Sequence, residues 1–288
     1  MLSTKTKIAL AAFVHHIVTG LRQLAGFGPK VEVTRSGIRW MLDLDEGIDF
    51  SIWLLRAFEW RTVQAYSKFA RPGMTVLDIG ANIGAHTLPL GKLVGSRGRV
   101  MAIEPTAWAT SRLKANAALN PDLADHILIR QVMLVDRDDT ALAEALYASW
   151  PLRGNDVHPH LRAQAKSTDG AEALTLDALL ERDRLGRVDL VKLDVDGHEC
   201  SVLRGGMKMF KRDRPVLFIE LQPYILVEAG HSIDELLALL AECGYHIYRL
   251  GTKTPLPMDP VALKRLIPET GSINAVAIAD QPSDFEKR

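Results

Sequence analysis

The stretch Val76-Leu77-Asp78-Ile79-Gly80-Ala81-Asn82-Ile83-Gly84-Ala85-His86-Thr87 decides the fold. Its opening residues, β-branched and aliphatic apart from Asp78, read as a buried strand. Gly80 and Gly84 then turn the chain, and Leu88, Leu90, Leu93 and Val94 continue it with a helical apolar period. Strand, glycine turn and helix N-terminus in that order make a cradle for a ligand. Glycine lets the backbone approach closely, and the free N–H groups at the helix start point toward what it holds.

The spacing is D-x-G-x-N-x-G, not the G-x-G-x-x-G of dinucleotide sites. Asp78, read at the strand's end, would repel a pyrophosphate and suits a ligand with an ammonium group. A second apolar run, Arg99 to Ile103, ends in Glu104-Pro105. A carboxylate at the tip of a second strand can bind a ribose diol through both oxygens. A ribose, a positive centre and no pyrophosphate together describe S-adenosylmethionine. The expected cofactor-binding set is therefore Asp78, Gly80, Ala81, Asn82, Gly84 and Glu104.

Four stretches in the same order make the reading more specific: Gly37-Ile38-Arg39-Trp40 with Leu42-Asp43-Leu44; Leu77 to Gly84; Val191-Lys192-Leu193-Asp194-Val195-Asp196-Gly197-His198-Glu199; and Arg214-Pro215-Val216-Leu217-Phe218-Ile219-Glu220. On these the chain resembles the FkbM family of S-adenosylmethionine-dependent methyltransferases, over roughly residues 30–280. The resemblance implies the α/β fold of class I methyltransferases, a Rossmann-like seven-stranded sheet with a terminal antiparallel strand pair. An N-terminal helix and hairpin would be added to it. It also implies O-methylation of a hydroxyl on a sugar, glycan or secondary metabolite.

Composition is compatible with that. At 288 residues, 47% hydrophobic and 24% charged, the chain suits one sizeable α/β domain. Lysine plus arginine equals aspartate plus glutamate at 35 each, so no net field draws in nucleic acid, and no nucleic-acid partner is expected. Cys200 and Cys243 sit in apolar-periodic segments without C-x-x-C spacing, reading as buried inert thiols in a reducing, cytoplasmic setting. Lys5 and Lys7 before Ile8 to Val14 imitate a signal peptide, but His15 and His16 interrupt the run and no A-x-A follows. Residues 5–24 read instead as an amphipathic helix lying on the domain or a partner, with peripheral membrane contact as the minor alternative. His15 and His16 are expected on its surface.

Along the chain, Val31 to Arg35 and Ile38 to Leu44 read as a hairpin turning at Ser36-Gly37. The aromatic run Trp53, Phe58 and Trp60 reads as a helix over the domain edge, or as a cap with Glu59 facing the site. From the strand at Val76 onward, strands and helices alternate, which argues for a parallel sheet covered on both faces. Ile127 to Leu134 reads as the third strand, Val188 to Leu193 as the fourth and Pro215 to Leu221 as the fifth. His198 to Met209 and Ser232 to Cys243 read as helices. Residues 136–173, with Gly154-Asn155-Asp156 and His158-Pro159-His160, are aperiodic and expected above the strand ends as a substrate-recognition segment. The expected division is 1–70 for helix, hairpin and cap, 71–280 for the cofactor-binding domain and 281–288 for a tail.

The cofactor already activates its methyl group, so the protein must position an acceptor and deprotonate it if it is a hydroxyl. Asp194, His198 and Glu199 follow the fourth strand and Glu220 ends the fifth, making these the catalytic candidates. Asp194 either holds the cofactor's amino end or orients the acceptor. His198 is either a general base, with an unperturbed pKa near neutrality, or a solvent-facing helix start. Glu199 is either part of that chemistry or a helix N-terminal acid. Glu220 is either catalytic or the partner of an arginine. Asp194 and Asp196 flank one residue, but D-x-D lacks a third defined ligand, so no metal is expected. Two other functions remain open: a nicotinamide-dependent oxidoreductase, disfavoured by Asp78 and the missing third glycine, and a non-catalytic cofactor-binding interaction module.

Overall fold

The computed structural model describes residues 4–137, 140–152, 157–158, 163–252, 254–268 and 271–279, with side chains from residue 14 onward. In chain order the strands are β1 (Lys30–Arg35), β2 (Ile38–Asp43), β3 (Thr75–Ile79), β4 (Arg99–Ile103), β5 (Ile127–Arg130), β6 (Val132–Val135), β7 (Ala145–Ser149), β8 (Gln164–Ser167), β9 (Glu172–Thr175), β10 (Leu190–Leu193), β11 (Val216–Leu221), β12 (His246–Arg249) and β13 (Ile273–Ile278). Seven of them form one sheet in the order β12-β13-β11-β10-β3-β4-β5. β13 runs antiparallel to both neighbours, and the pairings from β11 to β5 are parallel. This is the expected Rossmann-like sheet with its terminal antiparallel pair.

The strands are apolar on both faces because both are covered. Leu77, Met101, Val191, Leu217 and Ile219 pack against the helices Leu176–Arg182, Glu199–Gly205, Met207–Asp213 and Ile233–Glu242. On the other face Val76, Val100, Leu190 and Phe218 meet the helix Thr87–Val94 and the N-terminal segment through Ile38, Trp40, Ile52 and Tyr66. The hairpin β1–β2 and the helices Gly47–Leu55 and Trp60–Phe69 are thus built into this second layer.

The expected third strand divides. Ile127–Arg130 joins the main sheet, while Val132–Val135 leaves it and pairs in parallel with β9. The segment expected to be aperiodic holds an antiparallel ribbon, β7 with β8, which short polar-rich runs such as Gln164 to Ser167 concealed. Gly154-Asn155-Asp156, Pro159 and His160 lie outside the described residues. The helix expected over 198–209 is two, separated at Gly206, where an added Cβ would meet Leu176 Cδ2 at 2.7 Å. Helix Ile233–Glu242 starts as expected, the Ser232 hydroxyl accepting from Glu235 N at 3.1 Å.

The N-terminal helix Thr4–Leu24 is present, but His15 is not on its surface. His15 is buried, 3.1 Å from Asp45 Oδ1 and edge-on to Phe50, because the helix docks where the segment after β2 turns. No helix of the described residues is long and apolar enough to cross a membrane.

Candidate active site

A cavity of about 740 Å³ opens at the carboxyl ends of β4, β3, β10 and β11. That is where ligands bind in an open parallel sheet, and the volume suits a cofactor with room for an acceptor. It is lined by Gly80, Ala81, Asn82, Glu104, Asp194, His198 and Glu220 of the expected residues; Asp78, Gly84 and Glu199 do not line it.

The glycine loop is fixed from several sides. Gly80 has φ +77°, and a Cβ there would lie 1.9 Å from Asp194 O, so only glycine lets β3 and β10 approach this closely. Asn82, also left-handed at φ 47°, closes the turn with its own Oδ1 accepting from Ile83 N at 2.9 Å. Its Nδ2 donates to Ala148 O at 2.8 Å, tying the loop to the β7 ribbon. Gly84 has a packing role, since a Cβ would meet Leu113 Cδ1 at 2.6 Å.

Glu104 is buried at the cavity edge. Its Oε2 accepts from Asn82 N at 3.0 Å, and its Oε1 accepts from Thr106 N at 2.9 Å and Thr106 Oγ1 at 2.6 Å. Burial raises its pKa, while the Thr106 and Asn82 donors pull it back. Oε1 already holds two donors and Oε2 one, so by lone-pair count the site left open for a ribose hydroxyl is on Oε2, and the expected grip through both oxygens is not available. Nearby Ile103, Val132 and Leu134 supply an apolar wall suited to a base.

Asp78 is arranged differently from its sequence reading. It lies near the end of β3 as expected, but in direct register with Lys192 of β10 and turned away from the cavity. Both side chains therefore point to the face covered by the N-terminal segment. Asp78 is fully buried, its Oδ2 accepting from Thr87 Oγ1 at 2.5 Å and its Oδ1 lying 3.8 Å from Lys192 Nζ. Lys192 also donates to Gly80 O at 3.0 Å and pairs with Asp194 Oδ2 at 3.4 Å. Burial would lower the lysine pKa, but Asp194, Asp78 and Glu59 outweigh it and hold the ammonium charged. Lys192 thus clamps β3, the loop and β10 together. The available signal was a lysine inside the apolar run Leu190 to Leu193.

Beyond β10 the acids crowd. Asp196 takes the left-handed conformation at φ 46° and lines the cavity with Asp194 and Glu220. Burial and then Asp194 push the carboxyls of Asp196 and Glu220 well above the usual range. His198 lines the same wall half-buried; burial and then His231 lower its pKa, which keeps the ring neutral and able to take a proton. Glu199 is turned inward, accepting from Val195 N at 3.1 Å and Gly197 N at 3.4 Å, so it holds the loop after β10.

Five more lining residues lie beyond the expected cofactor-binding and catalytic sets, Glu59 among them as the cap reading had it. Glu59, at the start of helix Trp60–Phe69, has φ 45° and accepts from Asn274 Nδ2 at 2.9 Å. His86 lies beside it, Nε2 3.6 Å from Glu59 Oε2, with Nδ1 2.9 Å from the Tyr66 hydroxyl. The ribbon contributes Leu146, Tyr147 and Trp150, as expected of the segment placed above the strand ends.

Among the described residues the trio whose ligand atoms lie within 4.8 Å of one another is Cys200, His231 and Glu235, away from the Asp194–Asp196 pair. There Arg204 already pairs with Glu235, and Ser201 Oγ meets His231 Nε2 at 3.1 Å, so an ion pair and a hydrogen bond occupy the groups. Both cysteines are buried, and burial raises both thiols.

The hexuronic acid methyltransferase AglP of Haloferax volcanii is 26% identical over 168 residues, covering 57% of this chain, and the chain spans 60% of that relative's length. Among solved structures, P. horikoshii TYW2 in complex with MeSAdo has 16% identity and a TM-score of 0.47, covering 92% of this chain and 83% of that one. Methyltransferase FkbM from Methylobacillus flagellatus KT has 15% identity and a TM-score of 0.42, covering 75% and 50%. The fold assignment rests on the strand order and not on these distant likenesses. The sequence model of the Methyltransferase FkbM domain matches residues 78–247, more than half of the 288. By that match the chain belongs to the FkbM methyltransferase family, with S-adenosylmethionine as its cofactor.

Proposed function

We propose that the protein O-methylates a hydroxyl of a sugar, glycan or related secondary metabolite. One observation carries the reading: the glycine loop with Glu104, and His198 among Asp194, Asp196 and Glu220, open into one cavity. Glu104 would hold the ribose, Gly80, Ala81 and Asn82 would cradle the middle of the cofactor, and Ile103, Val132 and Leu134 would flank its base. Asp78, Gly84 and Lys192 would hold that cradle in shape. When bound, S-adenosylmethionine supplies an activated methyl group, so the protein's remaining task is to aim an oxygen and remove its proton.

His198 would accept that proton at its unprotonated ring nitrogen. Asp194 would orient the acceptor hydroxyl from the tip of β10, and Glu220, its carboxyl pushed up by burial and then by Asp194, would in its protonated form donate to a neighbouring oxygen. Glu199 would support the loop that carries Asp194 and His198. The relative AglP is named for a hexuronic acid. Here the acceptor wall is rich in carboxylates, and among the described lining residues Lys192 is already held by Asp78 and Asp194. Neutral sugars therefore fit this wall better than acidic ones.

Incubation with S-adenosylmethionine and a panel of neutral sugars, nucleotide sugars, glycans and hexuronic acids, read by mass spectrometry, tests this. A methyl ether on a neutral hydroxyl compound is expected. Methylation of nitrogen or carbon acceptors alone would contradict the reading.

A further inference from the structure

We propose that Glu59 and His86 form the receptor for the amino-acid end of the cofactor, Glu59 taking its ammonium group and His86 Nε2–H its carboxylate. This rests on the S-adenosylmethionine reading above and adds two residues that are not in the expected cofactor-binding set.

The first observation is the backbone of Glu59. A glutamate held at φ 45° at the start of a helix is in a region that L side chains rarely occupy, and such residues gather at ligand sites. Here the conformation turns the carboxylate into the cavity, where Asn274 Nδ2 fixes Oε1 at 2.9 Å. The other oxygen faces His86 Nε2 at 3.6 Å, too far for a hydrogen bond.

The second observation is the state of His86. Tyr66 is fully buried, and its hydroxyl meets His86 Nδ1 at 2.9 Å. A buried phenol must place its proton on an acceptor, which assigns Nδ1 as acceptor and puts the ring's own proton on Nε2. His86 is 4% exposed, and Nε2 has no hydrogen-bond partner although the residue lines the cavity. A buried donor without a partner in a binding cavity calls for a ligand acceptor.

An anionic acceptor and a neutral donor therefore stand side by side. An α-amino acid presents the complementary pair, an ammonium and a carboxylate on one carbon. The position agrees with this. Glu104 ends β4, and Lys192 and Asp194 of β10 lie two strands away, about 10 Å at ordinary strand spacing. Glu59 and His86 sit beyond the glycine loop on that far side, where the end of the cofactor opposite the ribose must lie. Asp78, the acid the motif itself offers for an ammonium, is enclosed between Thr87 and Lys192. Burial and then Asp194 raise the pKa of Glu59, so a cation arriving beside it relieves both effects.

Calorimetric titration with S-adenosylhomocysteine and, separately, with 5′-methylthioadenosine, which lacks the amino-acid end, tests the assignment. Glu59→Gln should lower affinity for the first by about tenfold or more and leave the second within about twofold of wild type. His86→Ala should show the same split, and methylthioadenosine binding with an unchanged melting curve reports an intact fold. Loss of affinity for both ligands alike in a folded variant, or for neither, would overturn the proposal. Full adenosylhomocysteine affinity with lost turnover would move Glu59 to the acceptor. A wild-type protein that binds neither ligand would instead refute the cofactor site beneath it.

Discussion

On the β3–β4 side of the cavity the carboxylates are committed. Asp78 is held by Thr87 and Lys192, and Glu104 takes three donors from Asn82 and Thr106. On the β10–β11 side Asp194, Asp196 and Glu220 crowd one wall, where Asp194 pairs with Lys192 and burial and then Asp194 push the carboxyls of Asp196 and Glu220 up. The first side is a receptacle finished before any ligand arrives, as preorganised binding requires. The second would have its hydrogen bonds completed by what enters, as the proposed chemistry on a hydroxyl requires. Binding and turnover should therefore separate by side.

The sharpest way to break this contrast is at Gly80. Gly80→Ala places a Cβ against Asp194 O in a left-handed turn, and should lower stability by about 4 kcal/mol and abolish adenosylhomocysteine binding, read by melting and calorimetry. Retained binding would mean that the loop is adaptable. On the other side, His198→Ala should lower kcat about a hundredfold with cofactor affinity unchanged. Equal losses in both would place His198 with the receptacle.

Glu104→Ala should weaken adenosylhomocysteine binding by about 2 kcal/mol, because ribose contacts go and Asn82 N and Thr106 N lose their acceptor. A pH-dependent effect on stability belongs to Glu199, whose carboxyl burial pushes up from 4.5 to about 7. The folded state then holds a proton that the unfolded chain releases first, so this group's contribution falls as pH rises through that window and is constant above it. Glu199→Gln keeps the acceptor oxygen and should remove a decline of about 2.5 kcal/mol, measured as denaturant midpoints between pH 5 and pH 8. An unchanged slope would show that Glu199 ionises normally.

The receptacle was legible in the sequence because its parts are contiguous: strand, glycine turn and helix follow one another, and Glu104 ends the next strand. The direction of Asp78 was not, since it depends on register with Lys192, 114 positions later in the chain by the strand pairing of 78 with 192. Glu59 is further still from its partner, 215 positions from Asn274. His86 sat inside the deciding stretch without a signal of its own, because its meaning comes from Tyr66 and Glu59 on a helix that only folding brings alongside. Splitting of the third strand falls at the polar pair Arg130-Gln131, but the apolar runs on either side, Ile127 to Ile129 and Val132 to Val135, fit one strand or two.

The central claim is that the β3–β4 side is a finished receptacle for S-adenosylmethionine. Isothermal titration with S-adenosylhomocysteine, with NAD in parallel, tests it most directly. The account predicts saturable binding of adenosylhomocysteine, about micromolar, and none of NAD. Binding of NAD alone, or of neither ligand by folded protein, would contradict it.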